Sequence, residues 1–396
     1  MSDTPTSSSV AVLPFEDRDT RSKKQHSGTW IADDVIHHLS RFRVFSVVGR
    51  QASEAMSKKR GSLDAIGRSL GTRYLVTGAV QRTDDLLQAT ACLSESVSGK
   101  QLWRSRFQMN SRGNADVEED LASNVATGLA VAIDAKERER LNHDSNGNDL
   151  SQATPLILMA DHLTKQFQLT ANRYARKLAE KACLLDPTSA RAHAVLSRTH
   201  QLDWRYAWTA DPDQSIEKAL DYANLAIEHD PMEASGHAEL GMNRHFLREH
   251  EPALAAYQRA LDINPNDPDI LADFGDLLIS QGNPEQAIEP LHMAIHLRPD
   301  RAAMYRYYLA GAFEFMGDDE TVIKLFSDMG NDHEAHRLLA TSSSRLGLND
   351  QAAHHVDLTL KVHPDFSLAH WRKILPHRDP DNRERFIDDM ERAGFF

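Results

Sequence analysis

Cysteine is nearly absent: the chain has two, Cys92 and Cys183. A pair placed on two predicted folding units cannot build the disulfide framework of a small secreted domain, so a reduced, cytoplasmic setting is expected. Long hydrophobic runs are missing as well. The longest uncharged stretch, Leu121–Ile133, has 13 residues and includes Ser, Asn and Thr. That is too short and too polar to span a bilayer, so no membrane insertion is expected. Met1–Ser9 lacks the basic flank and apolar core of a signal peptide. Positive charge is in deficit, with 45 Lys+Arg against 58 Asp+Glu and a net charge of −13. Non-specific nucleic-acid binding draws its free energy from neutralised phosphates, so direct contact with nucleic acid is not expected. The deficit is uneven: residues 1–141 carry 20 basic and 18 acidic groups, residues 142–396 carry 25 and 40. At 396 residues the chain has room for two or three folded units.

Motifs that carry chemistry are also missing. There is no G-x-x-x-x-G-K-[ST] loop and no G-x-G-x-x-G after a strand to cradle phosphate, and neither a G-x-S-x-G elbow nor an H-E-x-x-H pair occurs. No catalytic residue, cofactor or metal is therefore assigned. Twenty histidines invite a metal reading, and His292 and His296 share one helical face at the i, i+4 spacing, but a third ligand is not evident. The pairs His37-His38 and His354-His355 read the same way. Asp33 and Asp34 sit near a helix start, where they favour the helix dipole. Cys92 lies in an apolar strand with no basic neighbour to activate it. Trp204, Tyr206 and Trp208 form either a packing cluster across a repeat junction or an aromatic binding patch.

What the sequence does contain is a repeat. The endings Leu185-Asp186-Pro187, His229-Asp230-Pro231, Ile263-Asn264-Pro265, Leu297-Arg298-Pro299 and Val362-His363-Pro364 place prolines 44, 34, 34 and 65 apart. A 34-residue period is that of a tetratricopeptide helical hairpin, and the proline stops its second helix because it lacks an N–H. Leu240-Gly241, Ala253, Tyr257 and Ala260 recur 34 residues later as Phe274-Gly275, Ala287, Leu291 and Ala294. The 44 implies an insertion at Gln201–Pro212, and the 65 a degenerate copy near Ala302–Asp332. Five or six repeats over 153–365 are expected, with capping helices over 366–396.

Residues 1–141 read otherwise. Val10–Phe15 and Phe45–Val48 are short strands, and Ile31, Val35, Ile36, Leu39 and Phe42 mark an amphipathic helix. Leu63, Ile66 and Leu70 mark another, ending at Gly71. Tyr74–Arg82, Leu86–Leu93 and Gln101–Met109 follow as strands, with Thr83-Asp84-Asp85 as one turn, and then a helix over Val117–Leu141. The order predicts an α/β unit with a mixed sheet at 10–141, a disordered start at 1–9 and a polar linker at 142–152.

The segments Val10–Phe15, Asp34–Phe42, Ala65–Arg82 and Ser98–Phe107 resemble the TolB-like (FlgO-type) domain that precedes tetratricopeptide repeats in bacterial regulatory proteins. Pro376–Gly394 is similar to the ending of the same proteins. Such proteins are commonly fused to a class III adenylate or guanylate cyclase domain or to a winged-helix DNA-binding domain. The strand at residue 10 leads to the expectation that neither unit precedes it here. The carboxylate pair and Asn/Arg pair that cyclase catalysis needs match no segment here, so a non-enzymatic role is expected. His26–Ile31 departs from the family pattern.

Two functional readings follow. One is an adaptor that binds a protein or peptide partner through the repeat groove. The other is a regulatory subunit of a separately encoded cyclase or DNA-binding protein, or a small-ligand sensor acting through the α/β unit. In tetratricopeptide solenoids, repeat positions 2, 5, 9 and 12 line the concave face. Counting back from the prolines assigns Arg191, Arg198, Met242, His245, Asp269, Asp276, Arg306 and Arg337 to it, with Phe246 beside Met242 and His245. Four arginines there suggest an acidic or C-terminal carboxylate ligand; mutual ion pairing of these residues is the competing reading.

Overall fold

The computed structural model describes residues 9–18, 27–42, 45–57, 61–83, 86–111, 117–143, 153–327, 333–363 and 366–396. The expected disordered start, apart from Ser9, lies outside these residues. So do Asp84 and Asp85 of the expected turn, the expected linker from 144 onward, and Pro364. The chain divides into two compact units, residues 1–202 with 228–233 and residues 203–227 with 234–396.

The first unit is built on a mixed sheet of β1 (Ser9–Val12), β2 (Glu16–Asp17), β3 (Ser46–Val47), β4 (Tyr74–Arg82), β5 (Leu86–Glu95) and β6 (Gln101–Asn110). The order is β3-β1-β4-β5-β6, with β2 also on β4. β1 pairs in parallel with β3 and β4, whereas β4-β5-β6 is an antiparallel meander. One face carries α1 (Ser27–Arg41) and α4 (Val117–His143), whose Ile31, Val35, Leu121, Val125 and Leu129 pack on Val10, Val76 and Leu87. The other carries α2 (Arg50–Ser57) and α3 (Leu63–Leu70), over Ala11, Leu13 and Leu75. Short connections and β-branched runs buried on both faces make this arrangement the natural one. Gly71 ends α3 in the left-handed conformation, as its position in the sequence predicts.

The unit does not end at residue 141. The hairpin α5 (Ala153–Thr164) and α6 (Leu169–Leu185) belongs to it, and Arg138 on α4 reaches His162 on α5 at 2.9 Å. Asn172 and Arg176 on α6 bond the Thr199 carbonyl of α7 (Ala190–Arg205). The first expected repeat thus packs with the α/β layer, which the local polarity of 142–152 could not reveal.

The second unit stacks helical hairpins: α9 (Ala234–Phe246) with α10 (His250–Ile263), α11 (Pro268–Ser280) with α12 (Pro284–Leu297), α13 (Ala302–Met316) with α14 (Asp319–Phe326), and α15 (His333–Arg345) with α16 (Asn349–Val362). The 34-residue period has a direct steric cause. A Cβ on Gly241 would lie 2.8 Å from the Tyr257 ring, and one on Gly275 would lie 2.8 Å from Leu291. The large residue of each second helix fills the space its glycine vacates. The degenerate copy is α13–α14, whose second helix is shortened to eight residues. α8 (Pro212–His229) follows the insertion. There Tyr206 stacks between Trp208 (4.9 Å) and His363 (6.1 Å), and Trp204 meets Phe246 edge-on. Packing therefore accounts for these aromatic side chains.

The last 31 residues form α17 (Leu368–Ile374), a Pro-containing turn and α18 (Pro380–Ala393). α18 buries Ile387, Met390 and Ala393 with Ala340 and Val356 of the last hairpin.

Candidate partner-binding site

Within the second unit, α9, α11, α13 and α15 stand side by side, and the face they share meets α17, the turn after it and α18. Between the two walls lies about 80 Å³ of open volume. The helix wall contributes Arg205, Phe246, Asp276, Tyr308, Glu314 and Arg337, and the opposite wall contributes Trp371, Leu375, His377 and Phe386.

Of the nine residues assigned to a groove, Phe246, Asp276 and Arg337 line this cavity. Met242 and His245 depart from the expectation. Met242 is 1 % exposed and packs with Tyr257, and His245 is fully buried with its Nε2 2.7 Å from Ser280 Oγ. Burial holds the His245 pKa well below its ordinary value, so the ring is neutral at pH 7. Counting positions identifies the helix face; it does not reveal the depth at which each side chain sits. Asp269 is engaged internally, accepting from Arg301 (3.0 Å) and the Tyr305 hydroxyl (2.6 Å). Arg191 belongs to the first unit, where it donates to the Phe42 carbonyl at 3.1 Å and stands 3.9 Å from Glu233. Arg198, also in the first unit, and Arg306 on α13 are half-buried.

Arg337 is the largest departure from an open groove. It is 5 % exposed, donates to the Tyr307 hydroxyl, and lies 4.7 Å from the Trp371 ring and 5.2 Å from the Phe386 ring. A guanidinium is weakly hydrated and stacks well on aromatic faces, so this enclosure is favourable where a lysine would not be. The four-arginine surface is thus partly consumed by the chain itself.

Sequence reasoning missed the charge network beside it. Arg345 pairs with Asp319 (2.6 Å), Asp389 (2.8 Å) and Glu314 (3.5 Å). Glu314 also accepts from Thr341 at 2.5 Å, and burial nevertheless raises its pKa. Asp276, desolvated near the Arg205 and Arg337 charges, has its pKa raised to about 6. The His377 ring, stacked on Phe315 at 5.7 Å, is depressed to about 4 by burial and nearby arginines. In the first unit, Tyr74 donates to buried Glu137 at 2.5 Å, and Arg140 pairs with the same carboxylate.

No group of three or more His, Cys, Asp or Glu side chains among the described residues is arranged to hold a metal ion. His292 and His296 are both exposed on α12. No helix among the described residues is long and apolar enough to cross a membrane.

Residues 248–310 match the tetratricopeptide repeat family model. The match falls on α10 to α13, the stretch in which the 34-residue period is most regular. "Putative adenylate cyclase 3" of Rhizobium meliloti (strain 1021) is 27 % identical over 249 residues, covering 63 % of this chain. The chain spans 42 % of that relative's length. Among solved structures, a thermophilic TPR protein of Thermus thermophilus is 20 % identical, with TM-score 0.36 over 49 % of this chain and 94 % of its own. The pilF protein of Pseudomonas aeruginosa is 19 % identical, with TM-score 0.36 over 54 % of this chain and 95 % of its own.

Proposed function

We propose that the chain is a non-catalytic scaffold that holds a protein partner on its helical repeats, within a signalling or regulatory assembly. The observation that supports this most is the tetratricopeptide stretch at residues 248–310, whose hairpins present one row of first helices on a shared face. Tetratricopeptide repeats generally mediate protein–protein association, and stacking such hairpins creates extended binding surfaces. The acidic-ligand expectation loses support, because Arg191 and Arg337 are already engaged by the chain itself.

A regulatory role beside a separately encoded cyclase is a second reading, favoured by the name of the Rhizobium relative. The TolB-like reading of the first unit belongs to the same proposal and rests on Val10–Phe15 and the β-α-β order around it.

The test is affinity capture with the full chain, followed by titration calorimetry of each recovered protein. A saturable partner binding near 1:1 is expected. Absence of any partner with Kd below about 100 μM, an affinity of only about 5 kcal/mol, refutes the scaffold reading.

A further inference from the structure

The row of first helices is already occupied. His370 Nε2 lies 2.8 Å from the Arg205 carbonyl at the end of α7, and the Arg378 amide donates to the Ser280 carbonyl at the end of α11 (2.8 Å). Arg385 reaches the Phe315 carbonyl near the end of α13 at 3.3 Å. The segment after residue 366 therefore runs along helix C-termini, where carbonyls lack intrahelical partners and carry partial negative charge. Residues 366–378 bear Arg372, Lys373 and Arg378 and no acidic group, and Arg378 pairs with Glu251 on α10 at 2.7 Å.

Arg248 is a further tie. It donates to the carbonyls of Lys373 (2.6 Å), Leu375 (3.0 Å) and Arg372 (3.2 Å), closing the C-terminal end of α17. Its backbone is left-handed, with φ 62°. The same turn between first and second helix in the next three hairpins carries Gly282, Gly317 and Gly347, with φ 86°, 80° and 74°; Gly282 lies 34 residues after Arg248. The left-handed position that carries glycine in the three later hairpins thus carries Arg248 here, as the two earlier hairpin turns carry Phe167 (φ 49°) and Ala207 (φ 51°). Such strain persists where other contacts over-determine it, and it points to a purpose.

We propose that residues 366–378 are a strap seated in cis in a segment-binding groove, with Arg248 as its clamp. A partner using this face is a basic segment of the same build: a short helix with an aromatic ring for Arg337, closed by Leu-Pro and a cation. This rests on reading the repeat face as a protein-binding surface, and it adds that the partner must compete with the strap. α17 has seven residues, too few to hold a helix alone, so its order depends on the groove. α18 contributes Ile387 and Met390 to the buried cluster with Ala340 and Val356 that also takes in Leu368 and Leu375 of the strap, so strap and α18 share one apolar anchor.

The experiment uses the full chain and a labelled synthetic peptide of residues 366–378, followed by fluorescence anisotropy. Wild type should bind the peptide weakly. The Trp371→Ala/Leu375→Ala chain, altered in the strap alone, should bind it at least tenfold more tightly, and adding Arg248→Ala should cancel that gain. Hydrogen exchange should show α17 amides unprotected in the strap variant while α9–α13 stay protected. Peptide binding no tighter in the strap variant than in wild type overturns the proposal. So does α17 protection that survives the two substitutions, or loss of protection in α9–α13, which would make the strap a core element. A captured partner that the peptide fails to displace defeats the strap but leaves the scaffold reading standing. Peptide binding with no captured partner does the reverse.

Discussion

Replacing Arg248 by alanine and, separately, by glycine splits its role into two terms of opposite sign. Alanine removes the guanidinium and keeps a Cβ on a left-handed backbone. Three hydrogen bonds to carbonyls are lost. Bonds from a charged donor are each worth about 1.5–3 kcal/mol net, and half-exposure of Arg248 moves them to or below the lower end. Allowing for shared geometry, the alanine variant should lose about 2–4 kcal/mol of α17 docking. Glycine loses the same bonds but relieves about 1–2 kcal/mol of left-handed strain. The freer unfolded chain takes back up to about 1 kcal/mol of that. The glycine variant should therefore be more stable than the alanine variant by about 0.5–1 kcal/mol, or roughly 1–4 °C in Tm for a unit of this size. Thermal unfolding orders the three proteins, and hydrogen exchange at α17 shows where the loss falls. A glycine variant no more stable than alanine, or α17 amides unchanged in both, refutes the clamp.

Asp276 gives a pH-dependent expectation. Its pKa is raised from 3.8 to about 6, so between those values the folded chain binds more protons than the unfolded chain, and its contribution to stability falls as pH rises through that window. Asp276→Asn should raise Tm by several degrees at pH 7.5 and leave it unchanged below about pH 3.5; an equal shift at both pH values contradicts the assignment. Arg345→Met strips buried Glu314, Asp319 and Asp389 of their shared cation, an effect of about 3–5 kcal/mol. A melting temperature within 3 °C of wild type would show that the network carries little. Gly241→Ala should cost about 1–3 kcal/mol, because its new Cβ meets the Tyr257 ring. Gly275→Ala should cost less, since the Leu291 side chain can change rotamer, and denaturant midpoints compare the two.

Much of the cavity was beyond reach of the sequence, and the reason lies in sequence separation. Asp276 and Arg337 follow from counting repeat positions along a helix face, and Phe246 from its place beside two counted positions. Arg205, Tyr308, Trp371, His377 and Phe386 were missed because their meeting depends on a chain reversal more than a hundred residues after α7. One signal was available in hindsight: the turn position that holds Gly282 holds Arg248 one period earlier.

The local elements were legible from the sequence alone. β4 follows from its apolar, β-branched run, β6 from the alternation of Leu102, Arg104 and Arg106 with Trp103 and Phe107, and the end of α3 from Gly71. The hairpins follow from small residues recurring every 34 positions, because Gly241 and Gly275 must admit Tyr257 and Leu291. These depend on neighbours along the chain or on one fixed period. The tertiary structure alone decided that the first hairpin joins the α/β layer, that Met242 and His245 are buried, and that the face of first helices is covered by residues 366–378. Each of those outcomes is a contact between distant segments, fixed by burial and hydrogen bonding of groups with no shared spacing in the sequence.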